Sequence, residues 1–209
     1  MYPLKFPRIV SFLFPSLVSK IPTDKKIIYL SFDDGPEKEV TSWVLELLQQ
    51  YQAKATFFCL GKNMISNPDL VERIVQEGHQ LGNHTYTHLN GWKKPHKEYL
   101  EEIEKTSKII HFYQKAPPLF RPPYGRISPF LIKKIKKTHK IIMWTYLTGD
   151  YSSKINPKER IDYLTKRIKP GDIIVFHDSK KAFQNLQKML PTLLKKLKEK
   201  GFHFERISQ

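Results

Sequence analysis

Cysteine is nearly absent from this chain. Cys59 is the single one, which excludes an intrachain disulfide framework, and its setting in ATFFCLG is that of a buried strand thiol. Acidic residues are outnumbered, 20 Asp and Glu against 36 Lys and Arg, for a formal net charge of +16. Such a charge attracts anionic surfaces, including those of a cell envelope. No zinc-finger spacing, aromatic RNA-stacking motif or recognition-helix signature accompanies it, so no specific nucleic-acid partner is expected. Much of the excess lies in LIKKIKKTHK and LLKKLKEK, where lysines fall between apolar residues at helical spacing, as on a solvated helix face. There is no apolar run long enough to span a bilayer and no extended low-complexity tract, so the chain reads as one globular unit.

The first 25 residues stand apart. MYPLKFPRIVSFLFPSLVSK has two basic residues before an apolar stretch, but Pro15 interrupts it and no A-x-A cleavage site follows. Two readings stay open: a lead-in segment packed on the body, or a targeting or membrane-surface segment. The expected organisation is a lead-in over residues 1–25 and one domain over 26–209, monomeric, and cytoplasmic or associated with the cell envelope.

What is present is an alternation. KIIYLSF (26–32) and ATFFCL (55–60) are β-branched and aromatic. They flank a helical pattern that puts Val40, Trp43, Val44, Leu47, Leu48 and Tyr51 on one face, a βαβ unit. Further strands are expected at 79–83, 119–121, 140–146, 172–176 and 202–207, seven in all. Asn67-Pro68, Ser128-Pro129 and Asn156-Pro157 read as capped helix starts, and Gly78 and Gly201 as stops. Alternating apolar strands and helices imply a mostly parallel sheet, open or closed into a barrel.

The conspicuous polar residues gather just after these strands: Asp33 and Asp34 after the first, His84 and His88 after the third, Arg121 at the end of the fourth, Asp150 after the fifth, His177 and Asp178 after the sixth. In a parallel sheet those strand ends share one rim, where such folds build their sites. His84 and His88 with a carboxylate from another strand make a metal set with room for water. Of two adjacent carboxylates, one can ligate while the other takes a proton. His177, kept protonated by Asp150, is a candidate general acid. RPPYG, residues 121–125, is a loop stiffened by two prolines. His79, at the opposite end of its strand from the rim, reads as structural.

Taken in order, SFDDGP, HTYTH, RPPYG, GDY and IIVFHD resemble the five motifs of the polysaccharide deacetylases of carbohydrate esterase family 4, the NodB-homology domain, over about residues 26–207. The resemblance implies an α/β fold, a distorted seven-stranded (β/α) barrel. It also implies a metal-dependent hydrolase that removes acetyl groups from N-acetylated amino sugars of a peptidoglycan-like or chitin-like glycan. Carried over residue by residue, Asp33 matches the catalytic base, and Asp34, His84 and His88 match the ligands of a divalent metal, most often zinc, with cobalt or nickel as alternatives. Arg121 matches the residue positioning the base, Tyr124 the oxyanion donor through its backbone N–H, and Asp150 the carboxylate tuning the acid His177. Val175 would line the acetyl pocket.

The fourth motif departs from the family pattern. LTGDY has Leu147 and Tyr151 where many members carry Asp and Trp, leaving Tyr151 as the aromatic wall of the sugar site. Trp92 and Trp144 are further aromatic candidates, Trp144 reading as core because it falls on an expected strand. Two other functions stay open at this point: the same site acting on a formyl group or another amide, and a glycan-binding module without catalysis.

Overall fold

The computed structural model describes residues 5–116 and 118–208; residues 1–4 of the expected lead-in lie outside the described residues. Among the described residues nine strands follow in chain order: β1 (Leu17–Val18), β2 (Ile27–Asp33), β3 (Thr56–Cys59), β4 (Gln80–Asn83), β5 (Leu119–Phe120), β6 (Lys140–Ile142), β7 (Tyr146–Leu147), β8 (Ile173–His177) and β9 (His203–Glu205). The helices are α1 (Arg8–Leu13), α2 (Lys38–Gln50), α3 (Gly61–Ser66), α4 (Pro68–Gln76), α5 (His96–Tyr113), α6 (Pro129–Ile135), α7 (Pro157–Thr165) and α8 (Phe183–Glu199).

All strand pairs are parallel and form one sheet in the order β1-β6-β5-β4-β3-β2-β8-β7. β9 pairs with the first half of β2, Ile27 to Tyr29, and β3 with the second half, Ser31 to Asp33. β6 and β7 lie towards opposite ends of this order yet are separated in the chain only by Met143, Trp144 and Thr145, so the sheet curls until its edges meet. The N-terminal stretch bridges that seam. Met143 N–H donates to the Val18 carbonyl (2.7 Å), the Thr145 hydroxyl to the Ser19 carbonyl (2.6 Å) and Phe6 N–H to the Thr145 carbonyl (3.4 Å).

Two differences from the seven expected strands follow. The stretch 140–146 is two short strands because its middle crosses from one sheet edge to the other. β1 is a two-residue edge strand inside a segment that carries no strand pattern of its own.

Alternation along the strands sorts the core. Ile28, Leu30 and Phe32 of β2 pack outwards with Val44 and Leu48 of α2 and Leu190 and Leu194 of α8. Tyr29, Ser31 and Asp33 take the opposite face. There Tyr29 joins Phe58, Leu119, Ile142, Ile173 and Ile207 in a separate apolar cluster, while Ser31 and Asp33 bond to Arg121. The barrel interior is thus apolar below and polar above.

Two of the three expected caps form: Ser128 accepts from Leu131 N–H and Asn156 from Glu159 N–H. Asn67 does not cap α4. Its amide donates to the carbonyls of Pro36 and Asn63, tying the helix start to the loop after β2. Leu194 is fully buried on the side of the sheet away from the polar layer. Leu194→Ala should therefore cost about 2–5 kcal/mol, read as a lower urea midpoint with an unchanged slope.

Candidate active site

Arg121, which follows β5, is fully buried and is the largest fully buried side chain among the described residues. Its guanidinium donates to Asp33 Oδ1 (2.6 Å), to the Ser31 hydroxyl (2.8 Å) and to the carbonyls of Ile142 (3.3 Å) and Met143 (2.9 Å), and it lies 4.0 Å from the centre of the Phe58 ring. Asp33, at the end of β2, is 5% exposed and reaches the pocket from this anchored position.

Its neighbour turns away. Asp34 takes φ of 81°, which rotates its side chain towards His84 and His88. Asp34 Oδ1 lies 3.7 Å from His84 Nε2 and 3.3 Å from His88 Nε2, and one ligand atom from each of the three residues fits within 4.8 Å of the others. Because His84 Nδ1 sits 2.8 Å from the Arg121 carbonyl, which can only accept, Nδ1 carries the proton and Nε2 keeps its lone pair. Burial, together with the neighbouring His88, lowers the His84 pKa to about 3. Burial also lowers His88, against the pull of Asp34 and Asp33. Both rings are then neutral at pH 7, the form that binds metals. Asp34 Oδ1 is itself buried and has no hydrogen-bond partner, a costly state for a carboxylate that a cation would relieve. Two imidazoles and one carboxylate fit a divalent ion of the zinc type.

Across the pocket, His177 Nδ1 is 2.8 Å from Asp150 Oδ1, and His177 N–H donates to Asp150 Oδ2 (2.8 Å). Burial works to lower the His177 pKa, but Asp150, helped by Asp34 and Asp33, raises it to about 9. The same residue type is thus charged on one wall and neutral on the other. Since Nδ1 faces Asp150, Nε2 is the nitrogen left to the pocket.

The cavity between these walls has a volume of about 380 Å³ and is lined by Asp33, Asp34, His84, His88 and His177 together with Tyr124, Trp144, Leu147 and Tyr151. Tyr124 takes φ of 60°, and the hydrogen bonds around it, Gly125 N–H to Pro122 and Arg126 N–H to Pro123, do not use its own N–H. Tyr151 stands edge to face with His177 at 4.9 Å. Val175 does not reach the wall. It pairs with Ser31 one layer below the Asp33–His177 pair and is fully buried, so Leu147 and Trp144 supply the apolar lining. His79 lies at the far end of β4, where Nδ1 accepts from Ala55 N–H and burial lowers its pKa to about 4.

A model of the family described as polysaccharide deacetylase matches residues 20–141 of this chain. The chain belongs to the polysaccharide deacetylases. It is 34% identical to a peptidoglycan-N-acetylglucosamine deacetylase of Bacillus cereus, over 91% of this chain and 90% of that one. It is 36% identical to the deacetylase PgdA of Listeria monocytogenes, over 92% of this chain but only 40% of that longer protein. Among solved structures, the Bc1960 peptidoglycan N-acetylglucosamine deacetylase superposes with a TM-score of 0.87 at 32% identity, covering 94% of both chains. The curled parallel sheet is the fold of this deacetylase family, whose members depend on a metal.

Two residues of this deacetylase's site had no assigned part in the sequence reading. Glu102, on α5, accepts from the N–H groups of Tyr86 and Thr87 and from the Thr87 hydroxyl, holding the loop that carries His84 and His88. No local pattern marks it. Asp178 had a visible signal, its place beside His177, but no visible partner. It accepts from Gly35 N–H (3.1 Å) and from the Thr41 hydroxyl (2.6 Å), while its own N–H donates to the Asp33 carbonyl (3.1 Å). A Cβ at Gly35 would collide with the Asp178 carboxylate, so the loop after Asp34 closes only over glycine. Removing that carboxylate in Asp178→Ala leaves two buried donors unpaired, a loss of roughly 1–3 kcal/mol in stability. Because the same loop carries Asp34, zinc affinity should also fall about 10- to 100-fold in a competition titration against a chromophoric chelator.

Proposed function

We propose that the protein is a metal-dependent N-deacetylase acting on the N-acetylglucosamine units of peptidoglycan. The observation that carries this reading is the pocket itself, with an anchored carboxylate, a three-residue metal set and a charged imidazole converging from separate strand ends. The curated relatives named for peptidoglycan support the choice of glycan. Asp34, His84 and His88 would hold the ion, for which we propose zinc. When bound, a divalent metal supplies Lewis acidity, which makes water nucleophilic at neutral pH and polarises a carbonyl.

The chain's own residues do the rest. Asp33, fixed through Arg121, takes the proton from the attacking water, and its hydrogen bond to the guanidinium aims the second oxygen at the pocket. The Tyr124 N–H donates to the developing oxyanion. His177, charged at neutral pH, gives the Nε2 proton to the departing amine, and Asp150 steadies the imidazolium through Nδ1. Acetate and a free amino sugar leave. Leu147, Trp144 and Tyr151 form the apolar wall for the acetyl methyl and the sugar face. We take residues 26–209 as one catalytic domain, working as a monomer, to which residues 5–25 add an edge strand and the bridge across the seam. A Lys-rich surface at +16 favours approach to an anionic envelope polymer.

The deciding experiment measures acetate released from N-acetylglucosamine oligomers and from peptidoglycan by protein stripped with chelator and then reloaded with zinc. Release restored by metal is the expected outcome. Silence on every substrate with zinc demonstrably bound would refute the reading. Asp33→Asn and His177→Ala should each lower kcat by about 10²–10⁴ without loss of zinc.

A pH dependence follows from the His177–Asp150 pair. Because the folded-state value lies above the ordinary 6.5, the pairing stabilises the fold fully below about 6.5, and that contribution is lost as pH climbs through about 9. In metal-free protein the His177 ring should titrate in NMR near that upper value. In the active enzyme, Asp150→Asn should shift the alkaline limb of kcat to lower pH. An unmoved limb would assign that limb to another group.

A further inference from the structure

We propose that the outer face of α1 docks on a bilayer surface rich in anionic phospholipid, an inference that goes beyond the deacetylase reading and stands independently of it. The segment around α1 is apolar on two sides. Phe6, Val10 and Phe14, four residues apart, pack on the cluster that holds Leu17, Ile132, Met143 and Trp144, and the Phe6 ring stands edge to face with Trp144 at 5.7 Å. Ile9, Phe12 and Leu13, spaced i, i+3 and i+4, point the other way and are 63%, 79% and 61% exposed.

A single exposed apolar side chain needs no explanation, but large ones side by side on one helix face form a patch of the kind that marks an interaction surface. The ridge is also held in place. Phe14 N–H donates to the Val10 carbonyl (2.9 Å), Leu17 N–H to the Phe14 carbonyl (2.9 Å), and the hydroxyls of Ser11 and Ser19 pair at 3.0 Å. A ridge ordered before contact loses little entropy on docking. α1 has six residues, and among the described residues no helix is long and apolar enough to cross a membrane, so the segment would lie on a bilayer rather than span it.

Charge selects the partner. The first 23 residues contain Lys5, Arg8 and Lys20 but no Asp or Glu. Among the described residues, the cavity along one flank of the segment is lined by Lys5, Lys20, Arg167 and Lys169 with Asp172 as its single acid, and Lys20 already answers that acid at 3.1 Å. The groove along the other flank, against Phe6, Val10 and Phe14, has no acidic residue in its described lining and carries Trp92, 65% exposed, on its far side. An apolar ridge between cations, with an indole beside it, suits the headgroup layer of a bilayer: acyl chains take the apolar side chains and lipid phosphates meet the lysines. A second copy of this chain would bring like charge to the same face, at +16 each.

The test is sedimentation of the full chain with vesicles of phosphatidylcholine alone and of phosphatidylcholine with an equal part of phosphatidylglycerol. The protein should pellet with the anionic vesicles only, and less as salt is raised. Phe12→Ser and Leu13→Ser should each weaken the partition about tenfold, and Lys5→Gln and Lys169→Gln each about fivefold. All of these side chains are exposed, so Tm should hold, and Ile9→Ser reads the same ridge if one of the serine variants melts early. A wild type that does not pellet overturns the proposal. So does equal pelleting of the wild type and the serine variants, with inorganic polyphosphate stripping all of them from the vesicles, which would make the binding a matter of net charge alone. A wild-type dimer in ultracentrifugation that the serine variants dissociate, without vesicle binding, would seat a second copy on α1 instead. Acetate release from soluble N-acetylglucosamine oligomers should be unchanged in every variant, so failed docking and a failed deacetylase reading register separately.

Discussion

A guanidinium sealed inside a protein must have its charge and its N–H groups answered, and the architecture around Arg121 is the answer. Its partners come from β2, from the end of β6 and from the turn that follows it, its face rests on Phe58 of β3, and its carbonyl fixes the tautomer of His84. Breaking any one of these would leave a buried group unpaired, at several times the cost of losing an exposed pair. The curvature of the sheet, the aim of Asp33 and the orientation of the His84 ring are therefore one constraint seen from three sides. This also explains why two adjacent aspartates are placed so differently: one is bound to a cation of the protein, the other faces the imidazoles of His84 and His88.

The electrostatic pattern of the pocket is built from position rather than from residue type. His84, His88 and His177 begin with the same intrinsic basicity, and burial pushes all three towards neutrality. Only His177 has a carboxylate on its Nδ1, which reverses the outcome. Backbone strain contributes to the same end. Of the five non-glycine residues with positive φ among the described residues, four, Asp34, Thr85, His88 and Tyr124, lie at the site. Conformations of that kind persist where surrounding bonds over-determine them, as the Glu102 carboxylate does for the histidine loop and Asp178 for the aspartate loop.

Much of this could be read from the chain. The βαβ rhythm located the core strands, and the clustering of polar residues after them put the site at one rim, because a parallel sheet brings its strand ends together whatever its curvature. What stayed hidden depends on closure. Periodicity cannot show that residues 143–145 cross between sheet edges, so 140–146 reads as one strand and Leu17–Val18 as no strand. The resemblance implied Val175 as pocket lining, but motif order does not say how deep a residue lies inside a barrel, and here Val175 sits a layer below the Asp33–His177 pair. Glu102 and Asn67 were illegible for a simpler reason: their partners are loops that pass near a helix only after folding.

The pairing of β2 has a consequence for synthesis. Asp33 is among the first residues of the site to be made, yet its strand is completed by β8, whose His177 sits directly beside it, and by β9, which pairs His203 with Ile27. A chain leaving the ribosome can gather α2 and β3 around β2 early, because those contacts are local, but the opposite wall of the pocket does not exist until the last strands emerge. Asp33, Asp34, His84 and His88 are therefore made well before the Asp150–His177 pair that faces them. His177 reaches its place beside Asp33 only when the barrel is ready to shut.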